Sequence, residues 1–332
     1  MDCRRLLLLL ALVLVLVGKA RALDIEFTTL AVQRPSSLKL LGRDGGTSAK
    51  LGAYSLWLFG DTFTTDGLRS ATGALTPLND PTRLIDLVDE SGAPRQLVPF
   101  TPDELAYNTR RDGTRIAIWP MTAIATGPDR GVLFFVELIV RGGFDYEMVG
   151  TGTAVLRLRE TPQGPDVEVQ RDSRLLFAAR EPLYTPMFVR REHNRRLVYL
   201  YAADGHLARV PLRGVRARGR YRYWDGEGWT PDSLRASLVV PGLGIVTWNA
   251  GLGKYIAASG GPFFDWRLYV RSAPRPEGPW SQPTVVDVGA PLGGGFYNLH
   301  PEFGTEATVL LSYVVFTGPY RSEFHLLRLN LR

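Results

Sequence analysis

What most constrains this chain is the fivefold recurrence of one apolar run. SLWLFGDTF (55–63), VLFFVELIV (132–140), LVYLYAADG (197–205), KYIAASGG (254–261) and VLLSYVVF (309–316) are rich in β-branched, aromatic and leucine residues and give way to Gly, Pro, Asn or Asp. Short runs of that composition, bounded in that way, read as strands. Each follows a shorter strand across a tight turn: GTSAKLG (46–52), MTAIATG (121–127), PMFVRRE (186–192), GIVTWNAG (244–251) and LHPEFG (299–304). More polar alternating strands follow, clearest at TAVLRLR (153–159), HLARVPL (206–212), DWRLYVRS (265–272) and FHLLRLNL (324–331).

Self-similarity at this period is the mark of a repeat architecture. Fourth strands are predicted at RQLVPF (95–100), DVEVQR (166–171), RYRYWDG (220–226) and PTVVDV (283–288), and the fifth repeat lacks one because the chain ends. The segment DIEFTTLAV (24–32) can supply it, closing a ring with no free edge. The expected fold is therefore an all-β, five-bladed β-propeller, its last blade closed by the N-terminal strand. A two-sheet sandwich is the competing architecture.

Residues 1–22 read as a signal peptide. Arg4 and Arg5 precede an apolar run from Leu6 to Val17, and Ala20-Arg21-Ala22 is a small-x-small cleavage site. Residues 23–332 are then expected to form one domain, secreted or periplasmic, off the membrane after cleavage, and a monomer. Cleavage removes Cys3, the only cysteine, and with it any disulfide, thiolate zinc site or cysteine nucleophile. The four histidines are scattered without metal-ligand spacing, so no metal or other cofactor is expected. The net charge of +6 includes Arg4, Arg5, Lys19, Arg21 and Asp2; the remaining 35 basic and 32 acidic residues argue against a nucleic-acid or membrane partner.

In a propeller the first strand of each blade lines the central channel and pairs antiparallel with the second. With the first turn near Gly52-Ala53, residues whose numbers sum to about 105 face each other, which sets Asp44 of GRDGG opposite Asp61 of FGDTF. Two facing carboxylates push their pKa values apart, as general acid/base work requires. Either residue alone also reads as a turn aspartate capping local backbone. In the fifth repeat Asn298, His300 and Glu302 alternate and so share one face of a strand, an amide, an imidazole and a carboxylate that converge if that face is the channel. Trp119 and Trp248 occupy inner-strand positions of the second and fourth blades, where flat rings suit sugars or simply fill the core.

Other motifs carry less. GTGTAV (150–155) lacks the third glycine of a dinucleotide turn, AGLGKY (250–255) has Tyr255 where a phosphate loop needs Ser or Thr, and no GxSxG is present. RGVRARGRYRYW (213–224) mixes arginine and aromatics as an RNA-binding segment would, but also as a charge-protected blade edge would.

Together RDGGTS, LWLFGDTF, RYRYWDGEGW, APRPEGPWSQP and YNLHPEF followed by LLSYV resemble the bacterial family catalogued as domain of unknown function 4185, in the right order over most of the chain. That family is similar to five-bladed glycosidase propellers of the arabinanase and levansucrase type, and some members cleave D-arabinan. The resemblance implies catalysis by inner-blade aspartates, Asp44 and Asp61 here, while LYTPMFV (183–189) departs from the pattern in the third blade. The leading expectation is a glycoside hydrolase acting on a furanoside-rich polysaccharide such as arabinan. Asp44 and Asp61 would be its catalytic pair, Glu302 a reserve acid, and Trp119, Trp248, Asn298 and His300 would bind substrate. A non-catalytic glycan-binding propeller and an acidic pair holding a structural Ca²⁺ are the other readings.

Overall fold

The computed structural model describes residues 23–110, 112–142, 145–240, 242–261, 265–289 and 294–332; the expected signal peptide, residues 1–22, lies outside them. Five antiparallel sheets follow one another along the chain. Their innermost strands are Leu40–Leu51, Arg115–Ala125, Thr185–Glu192, Ile245–Asn249 and Gly294–His300. Each packs on the next and the fifth packs on the first, so the sheets form a closed ring, a five-bladed β-propeller.

Blade 5 runs in the order Ile25–Val32, Arg321–Leu331, Thr308–Gly318, Gly294–His300. The N-terminal strand is therefore its outer strand, with Ile25 opposite Leu331 and Val32 opposite His325. Backbone bonds between Asp24 and Arg332 in both directions join the two ends of the described chain.

Each blade is covered on both sides by its neighbours, so its strands need apolar residues on both faces and read as nearly continuous apolar runs. Five of the apolar clusters fill the five gaps between blades. Leu58, Leu75, Ile118 and Phe135 lie between blades 1 and 2, and Phe134, Tyr184, Leu200 and Tyr223 between blades 2 and 3. Tyr199, Val246 and Tyr255 join blades 3 and 4, Ile256, Leu299 and Leu327 join blades 4 and 5, and Trp57, Phe59, Val314 and Phe324 close blade 5 onto blade 1.

Two strands differ from expectation. The fourth strand of blade 1 is Ile85–Asp86, and Arg95–Phe100 runs as irregular backbone. Asp86 is held there by a buried ion pair with Arg43 at 2.7 Å and by the amides of Ser36 and Ser37, so polar anchoring sets the edge of this blade and not apolar alternation. In blade 5 the inner strand ends at His300, and Pro301–Phe303 is a single 3-10 turn. Pro301 lacks the amide N–H that continued ladder pairing requires, which is why Glu302 leaves the strand.

Candidate functional site

The inner hairpin of blade 1 holds the expected register. Arg43 pairs with Thr62 and Ser48 with Trp57, each pair summing to 105, and the ladder is interrupted between Arg43↔Thr62 and Gly45↔Phe59. Asp44 and Asp61 occupy that interruption. Released from regular pairing, the Asp61 backbone amide comes close enough to favour the ionised form of the Asp44 carboxyl.

Glycine makes this packing feasible. Gly45 and Gly46 have φ of 85° and 87°, in the left-handed region that glycine adopts without strain. A Cβ at Gly60 would lie 2.4 Å from Asp44 Oδ1 and 3.6 Å from Trp119 Cδ1, so the absent side chain is what admits the carboxylate.

The two carboxylates have different surroundings. Asp61 accepts hydrogen bonds from Arg115 Nη2 at 2.5 Å, Trp119 Nε1 at 3.0 Å and Ser70 Oγ at 3.4 Å. Arg115 and Trp119 both come from the inner strand of blade 2, so blade 2 sets the orientation of a blade 1 aspartate. Asp44 is half-buried and, among the described residues, is in no ion pair. Burial, then the neighbouring Asp61 charge, push its pKa up to about 7, against the pull of the Asp61 amide and Arg115. A carboxyl group that keeps its proton near neutrality beside a carboxylate paired with arginine is the division of labour that acid/base catalysis needs.

Aromatic rings gather at the same end of the propeller. The half-buried Trp119 meets Tyr146 edge-on at 5.4 Å, and Tyr146 is 42% exposed. Phe296, 54% exposed, precedes Asn298, whose amide nitrogen donates to Gly45 O and Phe296 O at 2.8 and 2.9 Å. Phe63, two residues after Asp61, packs on the exposed Tyr320 at 4.7 Å. Arg115, Tyr146, Phe296 and Tyr320 carry no signal in the sequence, because their link to the aspartates is made between blades and leaves no local pattern.

Of the remaining expected residues, Asn298 reaches Gly45 beside Asp44, whereas His300, Glu302 and Trp248 are placed elsewhere. Asn298 and His300 share a face, as their spacing requires, but that face is turned to blade 1. His300 is completely buried, its ring tilted against that of Trp57 with ring centres 4.1 Å apart. Ser48 Oγ lies 2.5 Å from both His300 Nδ1 and Glu302 Oε1, Ser55 Oγ is 2.5 Å from the same carboxylate oxygen, and Ser312 Oγ is 2.8 Å from His300 Nε2. Ser48 has one proton, which goes to the carboxylate, so Nδ1 must carry the imidazole hydrogen and Nε2 accepts from Ser312. Burial holds His300 neutral, its pKa pushed down to about 3, and burial likewise raises that of Glu302. Glu302 is engaged by Ser48 and Ser55, and neither aspartate is among the groups that act on it, so it is not joined to the pair. Trp248 is one residue from the end of its strand at the hairpin turn and packs against Tyr255. It therefore belongs to the turn end of the ring, away from the aspartates.

Among the described residues no group of three or more His, Cys, Asp or Glu is arranged to hold a metal ion. Asp61 is already engaged by a guanidinium and an indole N–H, donors that compete with a cation. Recesses of about 710 Å³ beside Glu104 and about 550 Å³ on blade 3 include neither aspartate. In the former, Arg171 closes on Glu104 and Glu137 at 2.6 and 2.9 Å, which ties the helix Pro102–Asn108 to blade 2.

No family model and no curated protein matches the sequence. The fold is similar to solved structures at low identity. A protein of Bacteroides ovatus classed provisionally as a hydrolase is 13% identical with a TM-score of 0.56, the alignment covering 88% of this chain and 86% of that one. An exo-β-1,3-galactanase from Clostridium thermocellum is 12% identical with a TM-score of 0.53, over 90% of this chain and 61% of that one. The Phanerochaete chrysosporium exo-β-1,3-galactanase gives 12% and 0.51, over 91% and 64%. The chain thus spans less than two thirds of either galactanase.

Proposed function

We propose that this protein is an exported glycoside hydrolase in which Asp44 is the general acid and Asp61 the nucleophile or base. The observation that carries the reading is the asymmetric pair: Asp61 fixed by Arg115 and Trp119, and beside it Asp44, in no ion pair among the described residues, with its pKa up to about 7. Glycosidic bond cleavage uses two carboxyl groups in these two states, one protonating the leaving oxygen while the other acts at the anomeric carbon. Tyr146, Phe296 and Trp119 offer rings for a sugar at the mouth above the pair. Propeller neighbours that cleave galactans support the reaction class, and the family resemblance of the sequence favours a furanoside-rich polymer of the arabinan type. The enzyme works as a monomer on polysaccharide and needs no cofactor.

The test is product analysis of the purified protein on a panel of arabinans, fructans and galactans. Asp44→Asn and Asp61→Asn should abolish release of sugar while leaving retention on the polymer intact. A wild-type protein that binds a polymer and releases nothing from any of them would make this a glycan-binding propeller.

A further inference from the structure

We propose that the hairpin-turn end of blade 3 is a second binding site, separate from the aspartates, for a polysaccharide carrying phosphate, sulfate or carboxylate groups. The strands Thr185–Glu192 and Arg195–Tyr201 meet there at a turn in which His193 and Asn194 have φ of 43° and 64°. On the side facing blade 4 lies a recess of about 550 Å³ lined by Arg195, Arg209, Arg220, Arg222, His193 and Trp229. A second recess of about 520 Å³ shares Arg195 and Pro211 with it and adds Arg196 and Arg213, so the basic surface wraps around the turn.

Charge is the first argument. Arg190 and Arg209 both lean on Glu192, at 3.6 and 3.3 Å. Arg191, Arg195, Arg196, Arg213, Arg220 and Arg222 are exposed and have no acidic partner among the described residues. These six guanidinium groups on the hairpin-turn end of one blade exceed the net charge of +3 of the whole expected mature chain, so this surface is locally much more basic than the protein as a whole. The sheet also sets arginines directly opposite one another, Arg191 against Arg196 and Arg209 against Arg222. Like charges at such positions destabilise a ladder, and an anion bound between them reverses the sign of that interaction. Arg195 and Arg196 stand at the hairpin turn, paired with Glu192 and Arg191 on one side and beyond the ladder to Leu207–Pro211, which begins at Leu197, so their side chains stand clear of regular packing on the surface of the two recesses.

The lining chemistry selects the kind of polyanion. All these cations are arginines, whose planar fork pairs bidentately with phosphate, sulfate or carboxylate. The indole of Trp229 is covered by the Arg209 guanidinium at 4.1 Å and meets Trp224 and Tyr199 edge-on at 5.5 and 5.8 Å, so a nucleobase stacking on the guanidinium side would have to displace Arg209. Leu197 is half-buried and Val210 buried, so neither projects as the anchor a bilayer-docking face uses. A recess of this size takes a charged substituent on a sugar chain.

The experiment measures retention of the full chain on immobilised dextran sulfate, polygalacturonate and uncharged dextran, with single-stranded DNA and phosphatidylglycerol vesicles at matched charge. Binding to both charged glycans and not to dextran is expected, weakening steeply between 50 and about 300 mM NaCl as screening predicts. Arg195→Gln/Arg196→Gln/Arg220→Gln should weaken it at least about tenfold, and the matching Arg→Lys protein should recover part of the loss. Asp44→Asn should bind as the wild type does. Wild-type affinity in the Gln variant, retention on uncharged dextran, or tighter binding to DNA or vesicles than to either charged glycan would overturn the proposal. If the Gln variant does not fold, salt sensitivity and the glycan-over-DNA order of the wild type decide it.

Discussion

Gly60→Ala introduces a methyl group without removing any functional atom. Gly60 has no positive φ, so alanine meets no backbone penalty, and the perturbation is steric. Its Cβ would lie 2.4 Å from Asp44 Oδ1, whereas ordinary van der Waals contacts begin at 3.4 Å, so the carboxylate must retreat by up to about 1 Å. Misplacement of that size in a catalytic constellation costs on the order of 100-fold in rate. Overpacking adds about 1 to 3 kcal/mol of destabilisation, which a domain of ordinary stability, about 5 to 15 kcal/mol, survives. The assay is kcat/KM for sugar release alongside urea unfolding, with Gly228→Ala as control, since a Cβ there meets nothing within 4 Å. The expected result is a folded Gly60→Ala protein with activity down by about two orders of magnitude and an unchanged control. A folded variant with wild-type kcat/KM would refute the claim that Asp44, in this position, performs chemistry.

Three further expectations follow from the same contacts. Arg115→Ala removes the 2.5 Å partner of Asp61 and a positive charge that lowers the Asp44 pKa; kcat should fall and the alkaline limb of the pH–rate profile should move above its wild-type position. Stability should respond to pH in two opposing ways. His300 stays neutral in the folded state down to about 3 against an ordinary 6.5, so the unfolded chain binds more protons between those values and stability falls as pH drops through that window. Asp44 holds its proton up to about 7 against an ordinary 3.8, so its contribution is lost as pH rises from about 4 to 7. Urea titrations should show His300→Asn flattening the acid side, and Asp44→Asn stabilising by about 2 to 4 kcal/mol at pH 8 but little at pH 4. Deletion of Ile25–Val32 uncovers the edge of Arg321–Leu331, and light scattering should report aggregation at temperatures where the intact chain stays soluble.

The ring was legible in the sequence because burial of each blade on both faces writes an apolar run at every second strand, and because a missing outer strand in blade 5 pairs with an unassigned one at the N-terminus. The register of the blade 1 hairpin was legible too, since it follows from where the turn falls, but the interruption of the ladder at Asp44 and Asp61 was not. What escaped were features decided by distant partners. Ile85–Asp86 is a strand because Arg43 and two serine amides hold Asp86, not because its residues alternate. Alternation put Asn298 and His300 on one face, but only packing against Trp57 and Gly45 shows that this face looks into the blade 1 interface. Arg115 and Trp119 reach Asp61 across 54 and 58 residues of chain, a link that local pattern cannot carry.

The central claim is that Asp44 and Asp61 behave as one coupled acid/base unit, and the ¹³C titration of the Asp44 carboxyl carbon tests it without reference to any substrate. The account predicts a midpoint near 7 that falls in Asp61→Asn, where the neighbouring charge is gone but burial remains. A midpoint near 4 in the wild type, or one unmoved by Asp61→Asn, would contradict it.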